Sequence, residues 1–599
     1  MSPGFRNALL WIVASAVMVV ACLSSVSAAY VDGRYVPDNE DAFYHARRIL
    51  DSVLTHAPVM QFDEKIHVPE GSWITWPWGF DTLMADITSA FGPFTDVDQA
   101  NHVLMNIPPV ASIIAVLLIL VLARQVKLPM LHTAVFAFGF ALLPAAFRAF
   151  SVGNVDHHFI ELLCTLGTFS AGVAFFREDN RSSLAPLVLG GLLGLAVALQ
   201  NGLFILQLPV CLMLGLRWIR GAPLPQRKHM RIFAVTLVVT TLLACLPSQP
   251  FRHGFFEFYT LSLFHLYIAV VVGVFGILLS QLAFSRRNLI IVCALAVVAL
   301  LPLGGMLYLA GAFVTGSLDT IANISEAKSP YRLFIERGET ESTMYMSWLL
   351  LFMFPMLLMN LWWAWRRRDP VLQFVAVMSA FGLAFFQFQY RFNVFGLVPM
   401  LLTPLLVAKE LAAARPALGR IVGAATVALF ALAYVPTRGA WQTTWALASH
   451  LSYANIRSTW PRLEQLCNER PGIVLADIEA GHWVRYHTSC SVIANVFLLT
   501  PQHAAKVAEN ESLLLLTPTE LLKKRHDLRY VLVFHEVLIR NNPDGAEVPV
   551  LEGLRQQMLP LERELLGPDV NIPAQFAKRW EVRSPQGQIY SRLYEIMRD

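Results

Sequence analysis

A polytopic α-helical membrane protein of about thirteen spans, with a mixed α/β domain outside the membrane at its carboxy-terminal end, is the fold class this sequence predicts. Three observations predict it. Hydrophobic residues make up 56% of the 599 and charged residues only 15%, with a mean hydropathy of +0.52, a balance that a soluble chain of this length would not tolerate. Thirteen apolar stretches of roughly span length can be read along the chain. The lysines and arginines between them collect in alternate loops.

A helix needs about 20 apolar residues to cross about 30 Å of hydrocarbon. Stretches near 8–29, 103–123, 129–150, 158–176, 184–200, 201–217, 231–249, 259–282, 288–312, 346–365, 371–388, 392–409 and 419–436 meet or approach that length. The short pair at 184–217 is divided only by the turn Gln200-Asn201-Gly202. Orientation follows from basic residues in short loops, which stay cytoplasmic. Placing Arg6 inside puts Arg124 and Lys127, Arg177 and Arg181, the cluster Arg217 to Arg231, Arg286 and Arg287, Arg366 to Arg368, and Lys409 to Arg420 on that same side. The opposite loops lack such runs, and the first of them, residues 30–102, holds twelve acidic against four basic residues. An odd number of spans leaves the tail outside.

Two domains are therefore expected. Residues 1–436 form the membrane part, with the long outer loop 30–102 and a second outer loop, 313–345, long enough to act as a lid. Residues 437–599 form the outer part, where β-rich runs such as Arg529-Tyr530-Val531-Leu532-Val533-Phe534 alternate with helical stretches at 502–509 and 518–525. The first stretch also resembles a signal peptide ending at Val26-Ser27-Ala28-Ala29, although it is long enough to span. Among seven cysteines only Cys467 and Cys490 lie in the outer tail, where an exported compartment permits a disulfide. The net charge of +4 reflects the cytoplasmic loops, and no basic–aromatic patch points to nucleic acid.

Ionisable residues at the ends of spans are costly and mark function by default. Asp41, Asp156, His158 and Glu326 are far apart in sequence, yet the topology brings them to one face. Asp41 lies in Asp38-Asn39-Glu40-Asp41-Ala42-Phe43-Tyr44-His45, which alone reads as a solvated acidic run. Asp156 and His158 lie in Gly153-Asn154-Val155-Asp156-His157-His158, where Asp156 alone reads as a cap on the following helix. Together, two carboxylates and an imidazole can hold a divalent cation, and an oxygen-rich set with one nitrogen suits Mn2+ or Mg2+ better than Zn2+. Arg391, in the turn Gln389-Tyr390-Arg391-Phe392, either snorkels to the interface or pairs with a lipid phosphate.

In these motifs the chain resembles the catalytic subunits of oligosaccharyltransferases, in the GT-C class of membrane glycosyltransferases and of the archaeal or bacterial single-subunit type. Asp41-Ala42-Phe43-Tyr44-His45 is similar to the family's first acidic motif, and Asp156-His157-His158 to its second in the Asp-x-His form. Ile324-Ser325-Glu326 is similar to its outer-loop Glu element, and Trp76-Pro77-Trp78 to its proline-rich stretch. The resemblance implies an enzyme of the cell inner membrane with its site on the periplasmic side. It implies transfer of a glycan, with inversion, from a polyprenyl phosphate or pyrophosphate donor to a protein or glycan acceptor. Asp41, Asp156 and His158 would hold Mn2+ or Mg2+, Arg391 would bind the donor phosphate, and Asp41 and Glu326 would be catalytic.

One motif departs from the pattern. The family reads its Asn-x-Ser/Thr acceptor with Trp-Trp-Asp-Tyr-Gly, whereas the counterpart here is Asp477-Ile478-Glu479-Ala480-Gly481-His482-Trp483. Glu479, Gly481 and His482 are the acceptor-binding candidates, without the paired tryptophans. A lipid-linked-sugar transferase with another acceptor shares every other feature. A transporter would be polytopic too, but should carry polar residues and broken helices at the membrane midplane, and these spans are poor in both.

Overall fold

The computed structural model describes residues 3–24, 26–177, 182–315, 327–332, 341–434, 453, 456–534, 539–541, 547–549, 559–583, 587 and 589–598. Each of the thirteen predicted stretches falls on helix. Among the described residues, nine helices are long and apolar enough to cross a membrane, and three shorter apolar ones, Met130–Leu142, Leu184–Leu199 and Pro416–Ala428, accompany them. Two of the predicted spans are interrupted at a proline. Leu143 is extended (φ −69°, ψ 120°) because it precedes Pro144, so the 129–150 stretch becomes Met130–Leu142 and Pro144–Ala149. The 288–312 stretch breaks at the 3-10 turn Leu301–Leu303, which contains Pro302. The first helix runs Pro3–Leu23, several residues earlier than the pattern predicts.

Without water to drive association, membrane helices pack through small residues that let backbones approach. Leu184–Leu199 does so against Arg227–Cys245: a Cβ on Gly190 would lie 2.6 Å from the Phe233 carbonyl oxygen, and one on Gly194 2.7 Å from that of Leu237. The helix Asn393–Ala414 is buried along most of its length despite Pro399 and Pro404. By contrast, Arg286–Leu300 buries only Val292, so it presents an apolar face outward.

The tail builds a five-stranded mixed sheet. Phe576–Arg583, Ile589–Ile596 and Leu528–Phe534 are antiparallel neighbours, and Ile473–Leu475 and Ser491–Val492 continue the sheet in parallel. The helix Ile478–His487 makes the crossover between the parallel strands Ile473–Leu475 and Ser491–Val492, the latter at the sheet edge. Pro501–Leu514 and Pro518–Lys524 match the helical stretches expected there. Cys467 and Cys490 form a disulfide.

The core of this sheet is not made from the tail alone. Phe43, Tyr44, Ile66 and Ile74 of the long loop 30–102 are buried in the same cluster as Trp460, Trp483, Tyr530 and Leu593. Loop residues 65–68 also pair with the sheet edge, the Val492 N–H donating to the Lys65 carbonyl at 2.8 Å and the Val68 N–H to the Val492 carbonyl at 3.4 Å. Within this seam the Arg485 guanidinium donates to both oxygens of Asp63 at 3.1–3.3 Å, and the Tyr44 hydroxyl donates to Asp63 at 2.8 Å.

Candidate active site

Three helix starts converge where the first loop, the fourth span and the tail meet. The helix Glu40–Thr55 begins at Asn39, whose side chain accepts from the Ala42 N–H at 2.9 Å. The helix His158–Phe176 begins directly after Asp156-His157. Ile478–His487 begins at Asp477, whose carboxylate accepts from the Glu479 N–H at 2.9 Å. Gly153 locks the first two together. Its φ of +86° is open to glycine, and a Cβ there would lie 2.5 Å from Ala29 and 3.3 Å from the Asp38 side chain. The Asp38 N–H donates to the Gly153 carbonyl at 3.2 Å.

Asp156 is the hub of the cluster. It is 3% exposed, with His157 Nδ1 at 2.6 Å and His45 Nε2 at 3.7 Å from Oδ1, and His158 Nε2 at 3.4 Å from Oδ2. One turn into the helix, Glu161 takes up the other side of the histidines: Oε2 is 3.0 Å from His158 Nδ1 and Oε1 3.8 Å from His157 Nε2. Burial opposes ionisation of Asp156, but the adjacent His157 and His158 hold it well below the usual carboxylate range. Burial likewise opposes protonation of His157, and the Asp156 and Glu161 charges outweigh it and raise its pKa. Asp38, buried beside them, is pushed up to about 7 by burial, partly offset by hydrogen bonds from Ser151 and Asn39.

Two groups of donors lie close enough to share an ion: His45, Asp156 and His157, and His157, His158 and Glu161. The residues fit a divalent cation. Nitrogen and carboxylate donors face each other under burial, and His157 Nε2 is buried without a hydrogen-bond partner. The set expected from the sequence, Asp41 with Asp156 and His158, is not the one that converges. Asp156 and His158 meet, but Asp41 belongs to neither group; its carboxylate, 40% exposed, lies 3.7 Å from His482 Nδ1. The helix start turns Asp41 toward the tail while the next turn directs His45 inward.

Arg391 occupies the turn Tyr390–Phe392, with its guanidinium 5.4 Å from the Phe313 ring centre and its charge acting on Glu161. It therefore belongs to the same side of the cluster. Glu326 lies outside the described residues. Of the acceptor candidates, Glu479 is half-buried in the first turn of its helix. Gly481 serves packing instead of a pocket: it is buried, and a Cβ would sit 2.5 Å from the Ala494 carbonyl oxygen. His482 is fully buried among Tyr44, Trp76 and Phe497, and its Nδ1 donates to the Glu40 carbonyl at 3.1 Å. It supports the turn that carries Asp41, and burial pushes its pKa down to about 3.

Residue-type reasoning missed His45, Asp81, His157 and Glu161 as members of the cluster. Spacing held a signal for three of them, since Glu161 follows His157 and His158 by four and three residues and so shares their helix face. His45 likewise follows Asp41 by one turn. Nothing in the sequence pairs Asp81 with His45.

No protein-family model matches the sequence, and no curated protein matches it. The structure is similar to solved structures of the archaeal oligosaccharyltransferase AglB from Archaeoglobus fulgidus. The complex of that enzyme with an inhibitory peptide and a dolichol-phosphate superposes with a TM-score of 0.72 at 16% identity, covering 97% of this chain and 80% of the other. The form tethered to an acceptor peptide containing an NVT sequon gives 0.70 at 16% identity, covering 100% and 74%. The complex with zinc and sulfate gives 0.63 at 16%, covering 96% and 72%. This chain thus shares the fold of those structures, a multi-pass helical membrane fold with a carboxy-terminal sheet region.

Proposed function

We propose that this protein is a membrane glycosyltransferase that moves a glycan from a polyprenyl phosphate or pyrophosphate to an acceptor outside the cytoplasm, from the periplasmic face of the inner membrane. The observation that carries this reading is the meeting of Asp156, His157 and His158 with the Glu40–Thr55 helix in a fold of oligosaccharyltransferase type. The division into a membrane part, 1–436, and an outer part, 437–599, belongs to the same reading.

Asp156 with its histidines would hold Mn2+ or Mg2+, which supplies Lewis-acid stabilisation of the departing phosphate when bound. Arg391 adds a fixed positive charge on that side, able to pair with phosphate oxygens. Asp41, more exposed and on the tail side, is placed to accept a hydrogen bond from the acceptor's attacking N–H or O–H. Glu326 and its loop would close over the reactants and exclude water, limiting donor hydrolysis. With the phosphate leaving from the opposite side of the anomeric carbon, the product is inverted.

A specific observation favours a second reading of the acceptor. Asp477 is engaged in capping its own helix, and Ile478 offers no indole wall or N–H donor. A pocket without the groups that hydrogen-bond a hydroxyl discriminates weakly against its absence. The test incubates purified protein with Mn2+, a lipid-linked glycan and peptides bearing Ser, Thr or Ala at the third sequon position, with donor hydrolysis followed in parallel. Transfer is expected, with less than about tenfold preference for Ser or Thr over Ala. Asp156→Ala and His158→Ala should abolish it while the protein stays folded and inserted. Full activity of either variant rejects the assigned site, and a strict hydroxyl requirement lost in Glu479→Ala rejects the relaxed acceptor.

A further inference from the structure

We infer that His45 is a nitrogen ligand of the cation held at Asp156, fixed in its ligating tautomer by Asp81 and Arg48. The inference rests on the transferase reading only for what the cation does; its geometry stands alone. His45 is 1% exposed on the inner face of the Glu40–Thr55 helix, and its Nδ1 lies 2.6 Å from Asp81 Oδ1. Asp81 is fully buried, and its other oxygen pairs with the Arg48 guanidinium, itself fully buried and also donating to the Met60 carbonyl at 3.0 Å. An anionic, acceptor-only partner places the proton on Nδ1, which leaves the Nε2 lone pair facing Asp156 Oδ1 at 3.7 Å and His157 Nδ1 at 3.3 Å. Trp76 stacks on the ring at 3.9 Å and 14°, setting its plane.

This is the arrangement of a metal-binding histidine whose second nitrogen donates to a carboxylate, which fixes ring orientation and raises ligand basicity. The spacing agrees. Two donors about 2.1 Å from one ion stand about 3.0–3.4 Å apart at octahedral to tetrahedral angles, and His45 Nε2 and Asp156 Oδ1 need only a small closure to reach that. A structural histidine would need neither a buried ion pair behind it nor a lone pair aimed at a second carboxylate. With a nitrogen added, the donor set favours Mn2+ or Zn2+ over Mg2+.

Mn2+ binding to the purified full-length protein, read by electron paramagnetic resonance without donor or acceptor, tests the assignment. His45→Gln and Asp81→Asn should each weaken Mn2+ binding by about 10–100-fold and reduce the imidazole 14N coupling. His67→Gln, an equally buried histidine in the seam between loop and sheet, should leave both unchanged. Mg2+ in tenfold excess should displace little Mn2+ from the wild type. Wild-type affinity and 14N coupling retained in both His45→Gln and Asp81→Asn would overturn the inference, as would absence of Mn2+ binding in the wild type. A wild type that transfers glycan without binding Mn2+ overturns this inference alone. One that binds through His45 and transfers nothing overturns the transferase reading alone.

Discussion

Four histidines outside the spans are held neutral by burial: His67 is pushed down to about 4, and His482, His487 and His503 to about 3. Their stabilising effect is fully present above about pH 6.5. Below that the unfolded chain takes up protons that the folded one refuses, so stability falls as pH drops from 6.5 toward 3. Each group contributes up to about 1.4 kcal/mol per pH unit in that window. Asp38, raised to about 7, and Asp477, raised by burial, act in the opposite sense above 3.8, but they are two carboxyls against four histidines. Thermal unfolding followed by tryptophan fluorescence should therefore show Tm falling steadily from pH 7 to pH 5, and a flat profile would refute it. At this scale the sequence was legible where a residue's partner lay nearby in the chain. Asp156 and His158 share a turn, so their meeting could be read. His45 and Asp81 are 36 residues apart and meet only because two helices of the outer loop pack together. Asp41 lies in a segment that alone reads as a solvated acidic run; the structure puts it in the first turn of a helix, beside His482, 441 residues later in the chain.

At the scale of elements, the membrane helices were readable because hydrocarbon imposes one length and one composition on them. Their breaks are local too, since proline forbids the hydrogen bond and crowds the residue before it. The seam between the first outer loop and the sheet was not readable, because its strand pairing and its Asp63–Arg485 pair are long-range. Both side chains of that pair are within 5% of full burial, at 2% and 5% exposed. Removing one partner of a buried ion pair strands the other and costs about 3–5 kcal/mol. Arg485→Ala is accordingly expected to lower Tm by several degrees and expose residues 58–76 to protease, with the helical far-ultraviolet signal retained. Unchanged protection of that loop would show that the pair does not hold the seam.

At the scale of the molecule, the tail reads as a separate domain in composition, yet its core contains Phe43, Tyr44, Ile66 and Ile74. Expressed alone, residues 437–599 should expose the apolar surface those side chains cover, bind a hydrophobic dye and resist protease poorly. Adding a fragment covering residues 30–102 should restore protection; a stable, dye-silent fragment on its own would contradict this. The fold class followed from average properties of the chain, and the shared core did not, because no average records which distant segments fill one another's gaps.

That seam also sets a timetable for making the protein. Asp63 leaves the ribosome 422 residues before Arg485, and synthesis at about 5–20 residues per second separates the two by roughly 20–85 s. Throughout that interval Phe43, Tyr44 and the 65–68 backbone lack the tail residues that cover them in the folded chain. The cell must therefore keep an early, sticky segment unaggregated until the last quarter of the chain arrives. That delay is built into the architecture, independent of whatever reaction the finished protein performs.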